Sequence, residues 1–391
     1  MKVQTVLYVV DSLGLSGKTL TLVNLAQGLD PARYRGVVVS LAPLEGMLAD
    51  RLHKGGVPVV HVPCADGLQA NVVGKLLRLG QQYKPAMVHA FNPRPMLYGG
   101  IAAAMTGRPA IGTLSAFACI SAHEHHGFLP QRLATTTWRN RLRNRVLGRL
   151  LKGVTAVSRR AGESFCNDNA IPPDKLHVIY YGVDIGEIDR VAPDEVARVR
   201  AELGARPDDV LVGSVGRLVE QKDYPTQLRA LALAVPRARR LRMVVAGAGP
   251  LDGELRALAA ELGIADRLRW LGERRDVGTV LRALDAFVIA SKFEPFGVAV
   301  LEAMAARLPI VATEVNELPE ILDHGRAGVL VPAEQPEALA DALVTIAADP
   351  DLRARLGRRA RSVAAARYSL ASVITQYQRI YDTVTGERSE R

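Results

Sequence analysis

Short apolar runs rich in valine, isoleucine and leucine alternate along this chain with longer stretches patterned for helices. That rhythm is the signature of βαβ units building a parallel sheet, whose strands are covered on both faces and so read as near-continuous apolar segments. In the first half the runs predict strands at 3–10, 36–41, 57–62, 86–91, 109–114 and 153–158. The second half restarts the pattern at 210–215, 241–246, 267–271, 285–290, 309–313 and 327–331. Two doubly wound α/β domains follow from this. Between them, HVIYYGVDIGEIDRVAPDEVARVRAEL leaves a strand at Tyr180, turns at Gly182 and starts a polar helix after Pro193, which marks the linker. The expected division is 1–185 and 186–365. An Arg- and Ala-rich helical tail over 350–385, with no strand after it, is expected to pack across both domains, its 366–385 part against the first.

Composition agrees with two folded domains: 391 residues, 48% hydrophobic and 23% charged. Eighteen consecutive apolar residues, the length of a membrane span, occur nowhere. The start MKVQTVLYVVDS lacks a signal-peptide pattern, so a cytoplasmic protein is expected. Cys64, Cys119 and Cys166 are widely spaced and form no C-x-x-C pair, which implies neither a disulfide framework nor a zinc site. The net charge of +10 favours anionic partners. The excess concentrates between Glu124 and Glu163, where no acidic residue stands among Arg132, Arg139, Arg141, Arg143, Arg145, Arg149, Lys152, Arg159 and Arg160.

Ligands of open parallel sheets bind beyond the carboxyl ends of the strands, so those loops carry the candidate chemistry. After the first strand, DSLGLSGKT resembles an ATP-binding loop. A Walker motif needs glycine at its first position, and Ser12 stands there. Gly14 and Gly17 still place free backbone N–H groups at a helix start, suited either to a phosphate or sugar hydroxyl or to a plain tight turn. In the second half, Arg217 and Lys222 follow a strand and could neutralise a diphosphate. Gly247 and Gly249 in VVAGAGP form half a dinucleotide fingerprint. SKFEPFGVAVLEAMA places Glu294 before a helix and Glu302 within it, with the amides of Gly297 and Val298 between them. A carboxylate accepts two hydroxyls at once, which suits a ribose diol or a sugar.

These motifs in order, together with VHAFN at 88–92, TAVS at 155–158 and YGVD at 181–184, resemble the large family of retaining glycosyltransferases with the GT-B fold, family four and group 1. The resemblance runs over almost the whole chain. It implies two Rossmann-like doubly wound domains facing each other across a cleft, the first binding the acceptor and the second a nucleotide-sugar donor, most often a UDP-sugar. Arg217 and Lys222 would hold the diphosphate, Glu302 the ribose and Glu294 the sugar hydroxyls, with Gly216, Gly247, Gly249, Phe296, Gly297 and Val298 around them. Gly14 and Gly17 would let the first domain approach the diphosphate. The scheme needs no cofactor and no metal, because fixed cations and helix ends take the metal's place. Relatives carry Gly-Gly-Ala-Glu where this chain has Ser16-Gly17-Lys18-Thr19, and many carry histidine after the strand at 109–114, where Thr113 and Ser115 stand. His89 is then the catalytic histidine candidate, and Ser115, His123 and Lys18 are acceptor-side candidates, with His125 and His126 beside them.

Other readings fit less of the chain. ISAHEHHGF lacks the H-E-x-x-H spacing of a zincin, because residue 127 is glycine. A P-loop kinase explains only Gly17-Lys18-Thr19, and a two-lobed sugar-binding protein would carry an export signal. The basic run contains one tryptophan and no stacked aromatics, which argues against nucleic acid. Residues 131–153 combine leucine at helical spacing with arginine, either as a helix lying peripherally on an anionic membrane with a lipid-linked acceptor, or as a domain helix with a solvated basic face.

Overall fold

The computed structural model describes residues 3–14, 17–65, 69–114, 146–294 and 296–386. The chain forms two compact units: Met1–Gly182 joined by Leu370–Arg391, and Val183–Ser369. In the first unit, β1 (Gln4–Val10), β2 (Tyr34–Ser40), β3 (Val59–His61), β4 (Met87–Phe91), β5 (Ala110–Leu114), β6 (Gly153–Ala156) and β7 (Leu176–Val178) build a sheet in the order β3-β2-β1-β4-β5-β6-β7. Neighbouring strands pair in parallel, with Val10 opposite both Ser40 and Phe91. The run VLYVV is buried throughout because helices cover both faces. Leu7 and Val9 point into one apolar cluster, and Val6, Tyr8 and Val10 into the other.

The second unit repeats the plan with β8 (Val210–Val215), β9 (Leu241–Ala246), β10 (Leu268–Gly272), β11 (Ala286–Ile289), β12 (Ile310–Thr313) and β13 (Gly328–Val331), ordered β10-β9-β8-β11-β12-β13. Each observed strand lies within two residues of its expected start, and β7 is the strand that ends ahead of Tyr180. β2 begins earlier than its valine run suggests, because Gln4 N donates to Arg33 O and the Tyr34 ring is buried.

The unit boundary falls at Gly182, beside the expected break at 185. The helical tail is two helices, Pro350–Arg367 and Leu370–Thr385, interrupted at Tyr368 and Ser369. Val183 N donates to Tyr368 O at 2.9 Å, so the two connecting segments run side by side. The last helix belongs to the first unit, where Val373, Tyr377, Ile380 and Tyr381 enter the apolar cluster under β1. The helix before it belongs wholly to the second.

Candidate active site

β8 and β11 are sheet neighbours, but the chain leaves them toward opposite edges, through β9 and through β12. Loops that diverge in this way open a crevice at the strand ends. The loop after β8 is pinned from one side. Gly216 N donates to Ala246 O at 3.0 Å and Leu218 N to Ala248 O at 3.0 Å. A Cβ on Gly247, whose φ is +150°, would strike the Gly216 carbonyl, and one on Gly249 would strike the Leu218 backbone. The two glycines therefore let the backbones of the loops after β8 and β9 pack together at the crevice wall.

From the other side the loop after β11 clasps it. Gln221 Nε2 donates to Phe293 O at 2.8 Å, and Lys292 N donates to Gln221 O at 3.0 Å. This brings Lys222 onto Glu294: Lys222 Nζ donates to Glu294 Oε2, which also accepts from Ser291 Oγ at 3.0 Å. Glu294 N donates to Asn316 Oδ1 at 3.0 Å, and Thr313 Oγ1 donates to Ser291 O at 2.8 Å. Glu294 is 5% exposed, so its carboxylate is fixed in place by the cation and the hydroxyl. Arg217 is exposed on the same loop.

Gly297 has φ +90° and caps the helix Val298–Ala305, leaving that helix's first amides at the end of the Glu294 loop. Glu302 lies on the same helix and is half-buried. Burial, reinforced by the nearby Glu187 charge, pushes its carboxyl up from 4.5 to about 7. The ring of Phe296 is 2% exposed and packs edge-on against Tyr368. Burial of that ring anchors the loop from beneath.

The first unit has its own switch point, between β1 and β4. Lys18 Nζ lies 3.8 Å from Asp11 Oδ2, Asn92 Nδ2 donates to the same oxygen at 3.2 Å, and Arg94 Nε lies 3.6 Å from Asp11 Oδ1. Thr19 Oγ1 donates to Gly14 O at 2.5 Å, tying the loop to its helix, Gly17–Gly28. Gly17 is required by packing, because a Cβ there would sit 2.7 Å from the Tyr181 ring. A Cβ on Gly14 would make ordinary contact with Ser12 Oγ at 3.9 Å.

His89 is not at this surface. It is wholly buried within β4, with Nδ1 2.6 Å from Tyr381 Oη and Nε2 2.6 Å from Thr113 Oγ1. Both ring nitrogens are engaged by the core, and burial pulls its pKa down to about 3, so the ring is neutral and structural. Ser115 and His123 lie outside the described residues, as do His125, His126 and 131–145 of the basic segment. At the described end of that segment Leu147 and Leu151 are buried in the first unit's core, which is the domain-helix arrangement for those residues. Among the described residues no group of three or more His, Cys, Asp or Glu could hold a metal ion, and no helix is long and apolar enough to cross a membrane.

Sequence reasoning missed Ser291, Asn316, Asp11, Asn92 and Arg94. All five stand just after strand ends, where the strand-end rule points, and Ser291, Asp11 and Asn92 fall inside SKFEPFGVAVLEAMA, DSLGLSGKT and VHAFN, but none is one of the charged pairs or glycines that mark those stretches.

The fold and this arrangement define a two-unit α/β protein with charged side chains gathered at a sheet switch point in each unit. Comparison with known proteins gives the class. The model for glycosyl transferases group 1 matches residues 196–363, and that for glycosyltransferase family 4 matches residues 16–187. The chain belongs to these GT-B-fold glycosyltransferases. It is 38% identical over 200 residues to a D-inositol 3-phosphate glycosyltransferase of Saccharomonospora viridis, covering 48% of this chain and 46% of the relative. It is 29% identical over 233 residues to the alpha-D-kanosaminyltransferase of Streptomyces kanamyceticus, covering 58% and 59%. The matched region thus spans about half to three fifths of these relatives. Among solved structures, Anabaena HepE in complex with UDP superposes with TM-score 0.82 at 22% identity, covering 97% of this chain and 100% of that one. WaaG, a glycosyltransferase of lipopolysaccharide biosynthesis, superposes with TM-score 0.70 at 17% identity, covering 98% and 100%.

Proposed function

We propose that this glycosyltransferase moves a hexose from a UDP-sugar to a glycan, lipid-linked or small-molecule acceptor, with retention of anomeric configuration and without a metal. The observation that carries the reading is the second unit's crevice, where Lys222, Glu294 and the start of the helix Val298–Ala305 are locked together by Ser291, Gln221 and Asn316. Arg217 and Lys222 supply fixed positive charge for a leaving diphosphate, the role a metal plays elsewhere. Glu302 in its ionised form accepts the ribose diol, and Glu294 accepts from hydroxyls of the sugar. That HepE of the same fold is solved with UDP, with UDP and glucose and with UDP-glucose supports the choice of base.

The test is a panel of radiolabelled sugar nucleotides incubated with the protein alone, scored for release of free sugar. Turnover of UDP-hexoses above GDP- and ADP-hexoses supports the reading, and indifference to the base contradicts it. The proposal includes a cytoplasmic enzyme held peripherally on anionic lipid through the basic side chains of residues 131–153, its Leu147 and Leu151 being taken up by the core. Sedimentation with phosphatidylglycerol vesicles but not phosphatidylcholine vesicles checks that part.

A further inference from the structure

Behind Lys222 the second unit carries two features that core packing alone would disfavour. Asp223 turns the backbone from the short 3-10 turn Glu220–Lys222 into the helix Tyr224–Ala234 at φ +45°, in the left-handed region that a side chain rarely adopts. It is 5% exposed, and its Oδ1 caps that helix by accepting from Thr226 N at 3.4 Å. Its Oδ2 is buried without a hydrogen-bond partner among the described residues. Lys292 bonds Glu334 at 3.1 Å, which together with the Asp223 charge holds the lysine pKa above its usual value.

One turn further on, Gln227 is 1% exposed, on the helix face that also carries the buried Ala230, Leu231 and Ala234. Its Nε2 donates to Lys222 O at 3.2 Å, and its Oε1 is buried without a partner among the described residues. A leucine or methionine at 227 would fill this apolar face without an unmet oxygen, and an acceptor desolvated for no donor costs stability. Strained backbone and unmet polar groups gather where geometry serves a site. Here the geometry served is that of Lys222. Its N donates to Val219 O at 3.0 Å, its O accepts from Gln227, and its side chain reaches Glu294. With the main chain held on both sides of its Cα, only the four-carbon stem is left to set the direction of the ammonium.

We infer that Gln227 is a positioning residue for the transfer reaction: its amide fixes the Lys222 carbonyl and so aims the Lys222 ammonium into the crevice where the donor diphosphate is proposed to bind. Asp223 turns the chain sharply enough for Gln227 to reach back over one helical turn. A cation aimed beforehand loses less rotamer freedom to its ligand, and that saving appears as affinity. The part in binding rests on the donor reading proposed above, whereas the hold on Lys222 does not.

Trace labelling with acetic anhydride, read at Lys222 by mass spectrometry against the other lysines, reports the hold without any nucleotide. Gln227→Met keeps the length and packing of the side chain but cannot donate. In this variant labelling of Lys222 rises about threefold or more, as its charge-assisted bond to Glu294 loosens. Calorimetric titration then reads the function: UDP affinity falls about tenfold, while uridine, which lacks the diphosphate, binds within about twofold of the unaltered protein. Lys222 labelled at the parental rate overturns the hold. UDP affinity within twofold of the parent overturns its part in binding, and equal losses for UDP and uridine mark a merely structural role and overturn it too. If Gln227→Met melts early, Gln227→Leu carries the same comparison. Should the unaltered protein bind no UDP, the donor reading fails, and the labelling alone decides whether Gln227 holds Lys222.

Discussion

Glu294 and Glu302 are two glutamates around one helix start, and their surroundings divide their work. Glu294 is held by Lys222 and Ser291, whereas Glu302 is pushed up to about 7 by burial and Glu187. Glu294→Ala removes the group proposed to meet the sugar and frees the Lys222 ammonium. Transfer should fall by about 100-fold or more, with UDP affinity unchanged or improved when titrated calorimetrically. Glu302 gives a pH signature. With the ionised carboxylate as the proposed ribose acceptor, UDP affinity should hold steady above pH 7 and fall as pH drops through 7; the slope disappears in Glu302→Gln. Folding has the opposite sense: a carboxyl whose folded pKa is raised costs stability as pH climbs from 4.5 through 7. Glu302→Gln should therefore melt higher than the parent at pH 8 and level with it at pH 4.5. The residue types and the spacing of this pair were legible in the sequence. The raised pKa was not, since it depends on Glu187, which the fold brings in from a different helix. Ser291 and Asn316 were equally hidden, because a serine and an asparagine in loops carry no charge pattern to announce them.

At the scale of elements the strands were legible because parallel strands buried on both faces need continuous apolar runs. That the 366–385 part of the tail goes with the first domain was expected; the break into two helices at Tyr368 and Ser369 was not legible. Pro350–Arg367 and Leu370–Thr385 differ in their buried partners, and those partners lie far away in sequence. The last helix is fastened to the first sheet by polar groups as well as apolar ones. Tyr381 Oη meets His89 Nδ1, Tyr377 Oη lies 3.3 Å from Thr155 Oγ1, and Asp382 accepts from Arg33 Nη2 at 2.6 Å and from Tyr34 Oη. The same contacts explain why His89 reads as a catalytic candidate and is a core residue: its partner at Nδ1 arrives from the opposite end of the chain. Tyr381→Phe leaves His89 Nδ1 without that partner and should cost about 1–3 kcal/mol in urea unfolding. His89 has its pKa lowered to about 3, so the unfolded chain takes up a proton that the folded one refuses. Stability from this group is present above pH 6.5 and is lost as pH falls toward 3. His89→Phe should flatten that part of the acid-unfolding curve.

For the whole molecule, the two-unit plan follows from one rhythm repeated twice, and a net charge of +10 suits a protein whose proposed ligands are anions. Each unit places charged side chains at its own switch point, and the account assigns the sugar nucleotide to the second. The most direct measurement of that claim is calorimetric titration of UDP into the protein and into Arg217→Ala/Lys222→Ala, without added metal. Saturable binding by the parent and a loss of about tenfold or more in the double variant are expected. Equal affinity in both proteins, or binding of Mg-ATP in preference to UDP, would contradict it.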